Sequence, residues 1–150
     1  MALRSPSKFV SGSAYTYAVS LRVRHPTLDP AILTDTLKLD PAHSWKAGDP
    51  RQSQTGASVS GQYRDSYWSA PLPGQMVGGA TLPLEIFLAQ QLLQLGRHRD
   101  FFSGLQAEGG EISLLVEIAP IANTVLTLSS TVARRLADLN IEVEFQFPGD

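Results

Sequence analysis

The chain has 150 residues, of which 43% are hydrophobic and 17% are charged, and its formal net charge is −2. This composition is too apolar and too weakly charged for a disordered chain, and the length suits one domain with a sizeable core. The charge balance argues against nucleic acid or an anionic membrane as a partner. The absence of cysteine excludes disulfide scaffolds, thiolate metal sites and cysteine nucleophiles.

The N-terminal residues 1–13 are rich in Ser, Pro and Gly, and we interpret them as a loose leader to a single domain over residues 1–150. Residues 1–10 contain no apolar stretch of the kind that a secretory signal requires. The most apolar segment, residues 82–95, is interrupted by polar side chains and is too short to span a bilayer. We therefore expect a cytoplasmic protein without a membrane partner.

Strict alternation of apolar and polar side chains predicts the first strand, which begins at Tyr15 and continues to Val23. The odd-numbered residues are apolar, whereas the even-numbered positions include Arg22 and Arg24. Because successive side chains of a strand point to opposite faces, one face of this strand should be buried and the other should face water.

The pair Asp29 and Pro30 predicts the start of a helix, because the carboxylate can accept from free backbone N–H groups and proline in this position loses no hydrogen bond. The helix is expected to reach about Leu39. A long connection over residues 41–58 follows. Alternation over residues 59–67 then predicts a second strand, with the odd-numbered residues on its more apolar face.

A leucine repeat at helical spacing predicts a second helix, which Thr81 should cap and which Phe101, Phe102 and Leu105 should continue. Its apolar stripe comprises Leu84, Leu88, Leu92 and Leu95, widened by Ile86, Ala89 and Leu93. The remaining predicted elements are strands over 112–118 and 124–128, a third helix capped by Ser129 or Ser130 and closed at Asn140, and a last strand over 141–147.

The predicted order is βαβαββαβ. Four strands alternate clearly and none is a continuous apolar run, so helices should cover one face of the sheet and leave the other wet. The sequence therefore predicts an α+β fold, a two-layer sandwich in which a mostly antiparallel mixed sheet carries three helices on one face.

Several of these residues support a family resemblance. They are Asp29-Pro30 after the first strand, then Leu39, Pro41, Ser44 and Gly48-Asp49, and in the C-terminal half Leu128-Ser129 and Leu136-Ala137 with Leu139. With this framework the chain, from about Tyr15 to Phe147, resembles the bacterial family known as domain of unknown function 4279. The resemblance implies a fold and a bacterial origin, but no reaction, because the family has no assigned activity. The resemblance also implies relatives whose genes lie beside secreted-toxin loci, a position that would suit an immunity protein.

The segment around His43 carries the residue types of a nucleophilic triad, namely His43, Ser44 and Asp49. Adjacent residues rarely face each other, and a triad depends on geometry. In the structural interpretation, Ser44 bonds a nearby backbone group, Trp45 closes the edge of the core and Asp49 belongs to a turn. A binding pocket and a catalytic loop are the alternatives, and no catalytic residue is assigned.

No metal or cofactor is predicted. His25, His43 and His98 lie far apart in the sequence, and no pair has the spacing of metal ligands. Residues 78–81 precede a helix and could hold a phosphate, but they lack the Walker lysine and a dinucleotide fingerprint. A flexible entry to the helix is the favoured interpretation of these glycines.

Charged side chains are expected on the wet face of the sheet. They are Arg22, Arg24, Arg64, Glu117, Glu142 and Glu144. In one interpretation these side chains pair across strands and simply solvate the face. Alternatively, the face docks a partner protein, with Trp68 at its edge, since Arg and Trp are over-represented among interface anchors.

The favoured hypothesis is a non-catalytic module that engages a partner protein, such as a toxin antagonist, through the open face or the segment around His43. The candidate binding residues are Arg22, Arg24, His43, Ser44, Trp45, Asp49, Arg64 and Trp68. A small-ligand sensor with a pocket between residues 41–58 and the sheet is the first alternative. A hydrolase that uses His43, Ser44 or Asp49 is the second, and homodimerisation through the sheet stays open.

Overall fold

The computed structural model describes residues 15–53, 55–74, 82–120 and 125–148. Its strands are β1 (Tyr15–His25), β2 (His43–Trp45), β3 (Pro50–Gln52), β4 (Ser58–Gln62), β5 (Ser66–Pro71), β6 (Glu111–Pro120) and β7 (Glu142–Gln146). Five of them form the main sheet, in the order β2-β5-β1-β6-β7, while β3 and β4 pair with each other as a separate hairpin.

The helices are α1 (Ala31–Leu37), α2 (Leu84–Leu95), α3 (Arg99–Ala107) and α4 (Ser130–Leu139). A 3₁₀ turn, Gly96–His98, links α2 to α3, so the second predicted helix is present as two helices interrupted at Gly96. In the described ranges, every helix is too short or too polar to cross a bilayer. The predicted fold class, an α+β fold with a mixed, mostly antiparallel sheet, is confirmed.

Strand β1 is the centre of the sheet and separates its two faces. It pairs antiparallel with both β5 and β6, and β6 pairs parallel with β7 through the crossover helix α4. The odd-numbered residues of β1 are buried, with Val19 and Leu21 fully excluded from water, whereas Ala18 and Arg24 are exposed. The predicted alternation of β1 is therefore confirmed, and the buried face packs against the helices.

Local capping explains where the helices begin and end. The Asp29 carboxylate accepts from the Ala31 N–H at 3.0 Å, and α1 ends at Lys38, whose φ of 57° is left-handed, slightly before the predicted end. The Ser129 hydroxyl accepts from the Val132 N–H at 3.2 Å, and Asn140, with a φ of 53°, closes α4. Both predictions for α4 are confirmed.

Two tyrosines of β1 fix the entry to α2. The Tyr17 hydroxyl donates to the Leu82 carbonyl at 2.7 Å, and the Tyr15 hydroxyl accepts from the Leu84 N–H at 3.1 Å. Burial, and secondarily the neighbouring Tyr15, raises the pKa of the Tyr17 phenol above its usual value. These contacts attach the helical layer to the central strand.

The structure corrects the predicted chain path between residues 41 and 67. The connection over 41–58 contains the short strands β2 and β3, and the strand predicted over 59–67 is two strands, β4 and β5, separated by a turn. Gly61, with a φ of 94°, lies in β4. The alternation continues across the turn by coincidence, so the sequence pattern alone concealed the break.

Two further predictions are wrong. Residues 125–128 form no strand, because Val125 is 92% exposed and the segment pairs with no described strand. Ile86 and Leu93 do not widen the buried stripe of α2, since they are 48% and 60% exposed, whereas Phe87 is buried in their place. The leader, the cap at Thr81 and residues 78–81 lie outside the described residues.

Candidate functional site

The open face of the main sheet carries polar and charged rows across its strands. The register places Arg22 beside Ser69 of β5 and Ser113 of β6. Arg24 lies beside Tyr67 of β5 on one side and beside Glu111 of β6 on the other. Because paired residues in a ladder share a face, both arginines belong to the side of the sheet away from the helices.

A groove of about 1030 Å³ lies on this open face, between strand β2 and the β3–β4 hairpin. Its lining includes Arg22, Arg24, His43, Trp45, Asp49 and Arg51. The hairpin leaves the main sheet after β2 and returns to it at β5, so it forms one wall while the sheet forms the floor. We call this feature the β2–β3 groove.

An aromatic stack occupies one end of the groove. The Trp45 ring lies 4.2 Å from the Tyr63 ring and 4.8 Å from the Tyr67 ring, in nearly parallel planes. The Arg24 guanidinium lies 5.8 Å from the centroid of the Tyr67 ring, within the range of a cation–π contact. Trp45 therefore lies on the open face. The predicted role of Trp45, closing the edge of the core, is wrong.

Hydrogen bonds close the base of the β3–β4 hairpin. The Asp49 carboxylate accepts from the Lys46 N–H at 3.0 Å, and Gly48, with a φ of 91°, takes the left-handed position of the turn. Tyr63, which follows β4, bonds the turn before β3 through both its backbone groups, donating to the Asp49 carbonyl at 3.0 Å and accepting from the Gly48 N–H at 2.8 Å. The predicted turn at Asp49 is confirmed.

A second cleft, of about 310 Å³, adjoins the groove on the side of β6 and β7. Its lining shares Arg22 and Arg24 with the groove and adds Glu111, Glu142 and Glu144. Arg22 donates to the Glu144 carboxylate across the face, which is an ion pair between half-buried and exposed side chains. The open face thus has a basic half toward the hairpin and an acidic half toward β7.

Most of the predicted site residues lie together. The residues that line the groove are Arg22, Arg24, His43, Ser44, Trp45 and Asp49. Arg64 lines a depression of about 170 Å³ that also contacts Arg24 and Trp45. Arg51, Tyr63 and Tyr67 also line the groove, and the sequence analysis did not select them.

The placement of Trp68 at the edge of the open face is wrong. Its side chain is fully buried on the helix side, opposite Val23 of β1, and its indole N–H donates to the Thr34 hydroxyl at 3.0 Å. Extending the alternation of residues 59–67 past the turn inverts the two faces of β5. Tyr67 is consequently on the open face and Trp68 in the core.

The geometry does not assemble the suggested triad. His43 and Ser44 are consecutive residues of β2, so their side chains point to opposite faces, and the Asp49 carboxylate bonds a backbone N–H. Neither His43 nor Ser44 hydrogen-bonds through its side chain to another described residue. Among the described residues, no three His, Asp or Glu side chains cluster closely enough to hold a metal ion.

The buried His25 has a structural role instead. Its Nδ1 accepts from the N–H groups of Thr27 and Leu28 at 3.0 and 2.9 Å, so the proton lies on Nε2, which donates to the Glu108 carboxylate at 2.8 Å. Nδ1 thus holds the turn after β1, while Nε2 links this turn to the C-terminal end of α3. This histidine faces the helical layer, away from the groove.

Comparison with known proteins decides the family. The family model for the domain of unknown function DUF4279 matches residues 13–149, which is nearly the whole chain. The chain belongs to the DUF4279 family. No curated protein and no solved structure gives a significant match.

Membership of the DUF4279 family confirms the predicted resemblance, and its description assigns no activity. The groove must therefore be interpreted from its own chemistry. That chemistry consists of arginines, stacked aromatic rings and a sheet edge.

Proposed function

We propose that this DUF4279 protein is a non-catalytic binding module that holds a segment of a partner protein in the β2–β3 groove. The observation that carries the proposal is the convergence of exposed arginines and a stacked tryptophan in one groove on the open face. Arg, Trp and Tyr are the side chains most enriched among interface hot spots. A toxin antagonist of the immunity type is one such module, since it acts by occupying its partner.

The shape of the groove favours a polypeptide over a small molecule. Sites for small molecules bury most of the ligand surface. Here His43, Asp49 and Arg51, which line the groove from β2 and from the hairpin, are exposed. A wide groove with exposed walls suits an extended segment that contacts many side chains in succession.

The position of β2 supports the same conclusion. It is one of the two edge strands of the main sheet, and among the described strands it pairs with β5 on one side alone. The other side of an edge strand presents main-chain groups that an extended peptide can use. A partner segment in the groove can therefore combine backbone pairing along β2 with side-chain contacts to the aromatic stack.

Site-specific photo-crosslinking in the cells that make the protein tests the proposal. A photoreactive benzoylphenylalanine replaces Gln52, an exposed residue that lines the groove, and the matched control replaces Leu93, which is 60% exposed on α2. We expect one discrete protein adduct from position 52 and none from position 93. Trp45→Ala should reduce the yield at position 52 at least about tenfold, which corresponds to about 1.4 kcal/mol.

Two results would contradict the binding role. One is the absence of an adduct at position 52. The other is an adduct whose yield is unaffected by Trp45→Ala, since the partner would then not use the aromatic stack.

A further inference from the structure

The arginines in the groove differ in how they are engaged. Arg22 pairs with Glu144 across the open face. Arg24 and Arg51 are exposed and form no ion pair with any described residue. Neither guanidinium lies within ion-pair distance of a carboxylate of a described residue, although Glu111 is the cross-strand neighbour of Arg24.

Three arginines line the groove against one carboxylate among the described residues, Asp49, and that carboxylate forms an ion pair with none of them. Asp49 uses its Oδ2 atom to accept from the Lys46 N–H, which holds it in the turn. The basic half of the open face consequently carries a local positive charge, although the whole chain is slightly acidic.

The two free arginines lie on different walls. Arg24 belongs to β1, on the sheet, where its guanidinium lies over the Tyr67 ring. Arg51 belongs to β3, on the hairpin, and its stem passes over Gly61, with Cδ 3.7 Å from the place of a Cβ atom there. A segment that enters the groove therefore meets positive charge from both sides.

From this arrangement we infer that the groove takes an acidic, extended polypeptide segment, whose carboxylates pair with Arg24 and Arg51. The inference rests on the proposed function and specifies the chemistry of the partner. Oppositely charged surfaces favour association and set partner choice, and guanidinium groups bind carboxylates through paired hydrogen bonds.

The acidic half of the face argues against a nucleic acid. Glu111, Glu142 and Glu144 line the adjoining cleft. A phosphate backbone continues beyond a short groove and would meet these carboxylates, whereas an acidic peptide segment can confine its charges to the basic half.

Selection from a random 12-residue peptide display library tests this inference. The baits are the wild-type chain, the charge-reversed double variant Arg24→Glu/Arg51→Glu and, as a matched surface control, Arg134→Glu, an exposed position on α4. We expect wild type and Arg134→Glu to enrich Asp and Glu over the unselected library at least about twofold. The charge-reversed bait should instead enrich Lys and Arg.

Binding of a synthetic copy of the most enriched peptide gives the second measurement. Fluorescence anisotropy should show a Kd that weakens at least about tenfold on raising the salt from 50 to 500 mM, because exposed ion pairs are screened. The neutral variant Arg24→Gln/Arg51→Gln should weaken binding without reversing the selection. Circular dichroism confirms that each variant is folded.

The outcomes separate the two proposals. Peptides that need Trp45 but show no excess of acids would overturn the acidic-segment inference and leave the binding module in place. If the wild-type and charge-reversed baits enrich the same peptides, those peptides bind outside the groove, and this result would also overturn the acidic-segment inference. Failure to enrich any peptide would overturn it as well. The crosslinking at position 52 decides the proposed function independently of all three.

Discussion

The two faces of the main sheet have different physical tasks. On the helix side, Val19, Leu21 and Trp68 are completely excluded from water. On the open side, Arg24 and the hairpin wall are exposed. The comparison teaches that the buried core and the charged open face are separated by the thickness of one sheet, so we expect the open face to tolerate substitution without loss of the core.

The two tryptophans of the chain mark this difference. Trp68 is enclosed by the helical layer and bonds Thr34, whereas Trp45 is half-buried and stacks on Tyr63 and Tyr67. The same side chain therefore serves as core in one place and as a platform in the other.

Replacing each tryptophan in turn gives the largest expected difference in stability between the two faces. Trp68→Ala should lower the free energy of unfolding by about 3–5 kcal/mol, because it leaves a large cavity beside the helices. Trp45→Ala should cost at most about 2 kcal/mol, since it removes stacking on a surface that water already reaches. Urea denaturation monitored by circular dichroism measures both.

Trp68→Phe is the milder companion variant if Trp68→Ala does not fold. Equal losses of unfolding free energy for Trp45→Ala and Trp68→Ala would show that the open face contributes as much to stability as the core does. The distinction between the two faces would then be wrong.

Two glycines on the helix side test how tightly this side is packed. A Cβ atom at Gly110 would lie 2.7 Å from the Leu105 carbonyl oxygen and 3.1 Å from the His25 ring. Gly110→Ala should therefore cost about 1–3 kcal/mol, because buried backbone has to move. Gly104, inside α3, has open space around its Cβ position, so Gly104→Ala should add about 0.5–1 kcal/mol of stability.

Thermal unfolding of the two variants should shift in opposite directions. A Gly110→Ala protein as stable as wild type would mean that the packing of α3 against the turn before β6 is looser than the structure shows.

The smallest effect concerns alkaline stability. The pKa of Tyr17 is raised in the folded chain, so above about pH 10 the unfolded chain loses this proton first and the free energy of unfolding falls with rising pH. Tyr17→Phe should make that decline less steep between pH 9 and 11 than it is in wild type. Urea denaturation across this pH range measures the slope, and identical slopes would contradict the assignment.

The helix side was largely predictable from sequence. The alternation of β1 reports burial on one face, and Ser129 and Asn140 carry the cap chemistry of α4. In each case a local pattern and the final packing agree, so a short window of sequence contains the answer.

The groove was predictable only in part. His43, Trp45 and Asp49 were selected for their chemistry, but β2 and β3 are three-residue strands with mostly exposed side chains, which leave no periodic signal. The sequence pattern predicts the two faces of β5 the wrong way round, because the turn before β5 shifts the phase of the alternation. Arg51 could have been found only by knowing that the hairpin folds over the sheet.

Strands β2 and β5 are neighbours, with Trp45 opposite Tyr67, so the intervening chain departs and returns at adjacent points. Its described residues contribute nothing to the buried apolar cluster. Doubling the length of such an excursion costs only about 0.6 kcal/mol of closure entropy. We therefore expect the core to tolerate the replacement of residues 46–65 by another connecting segment.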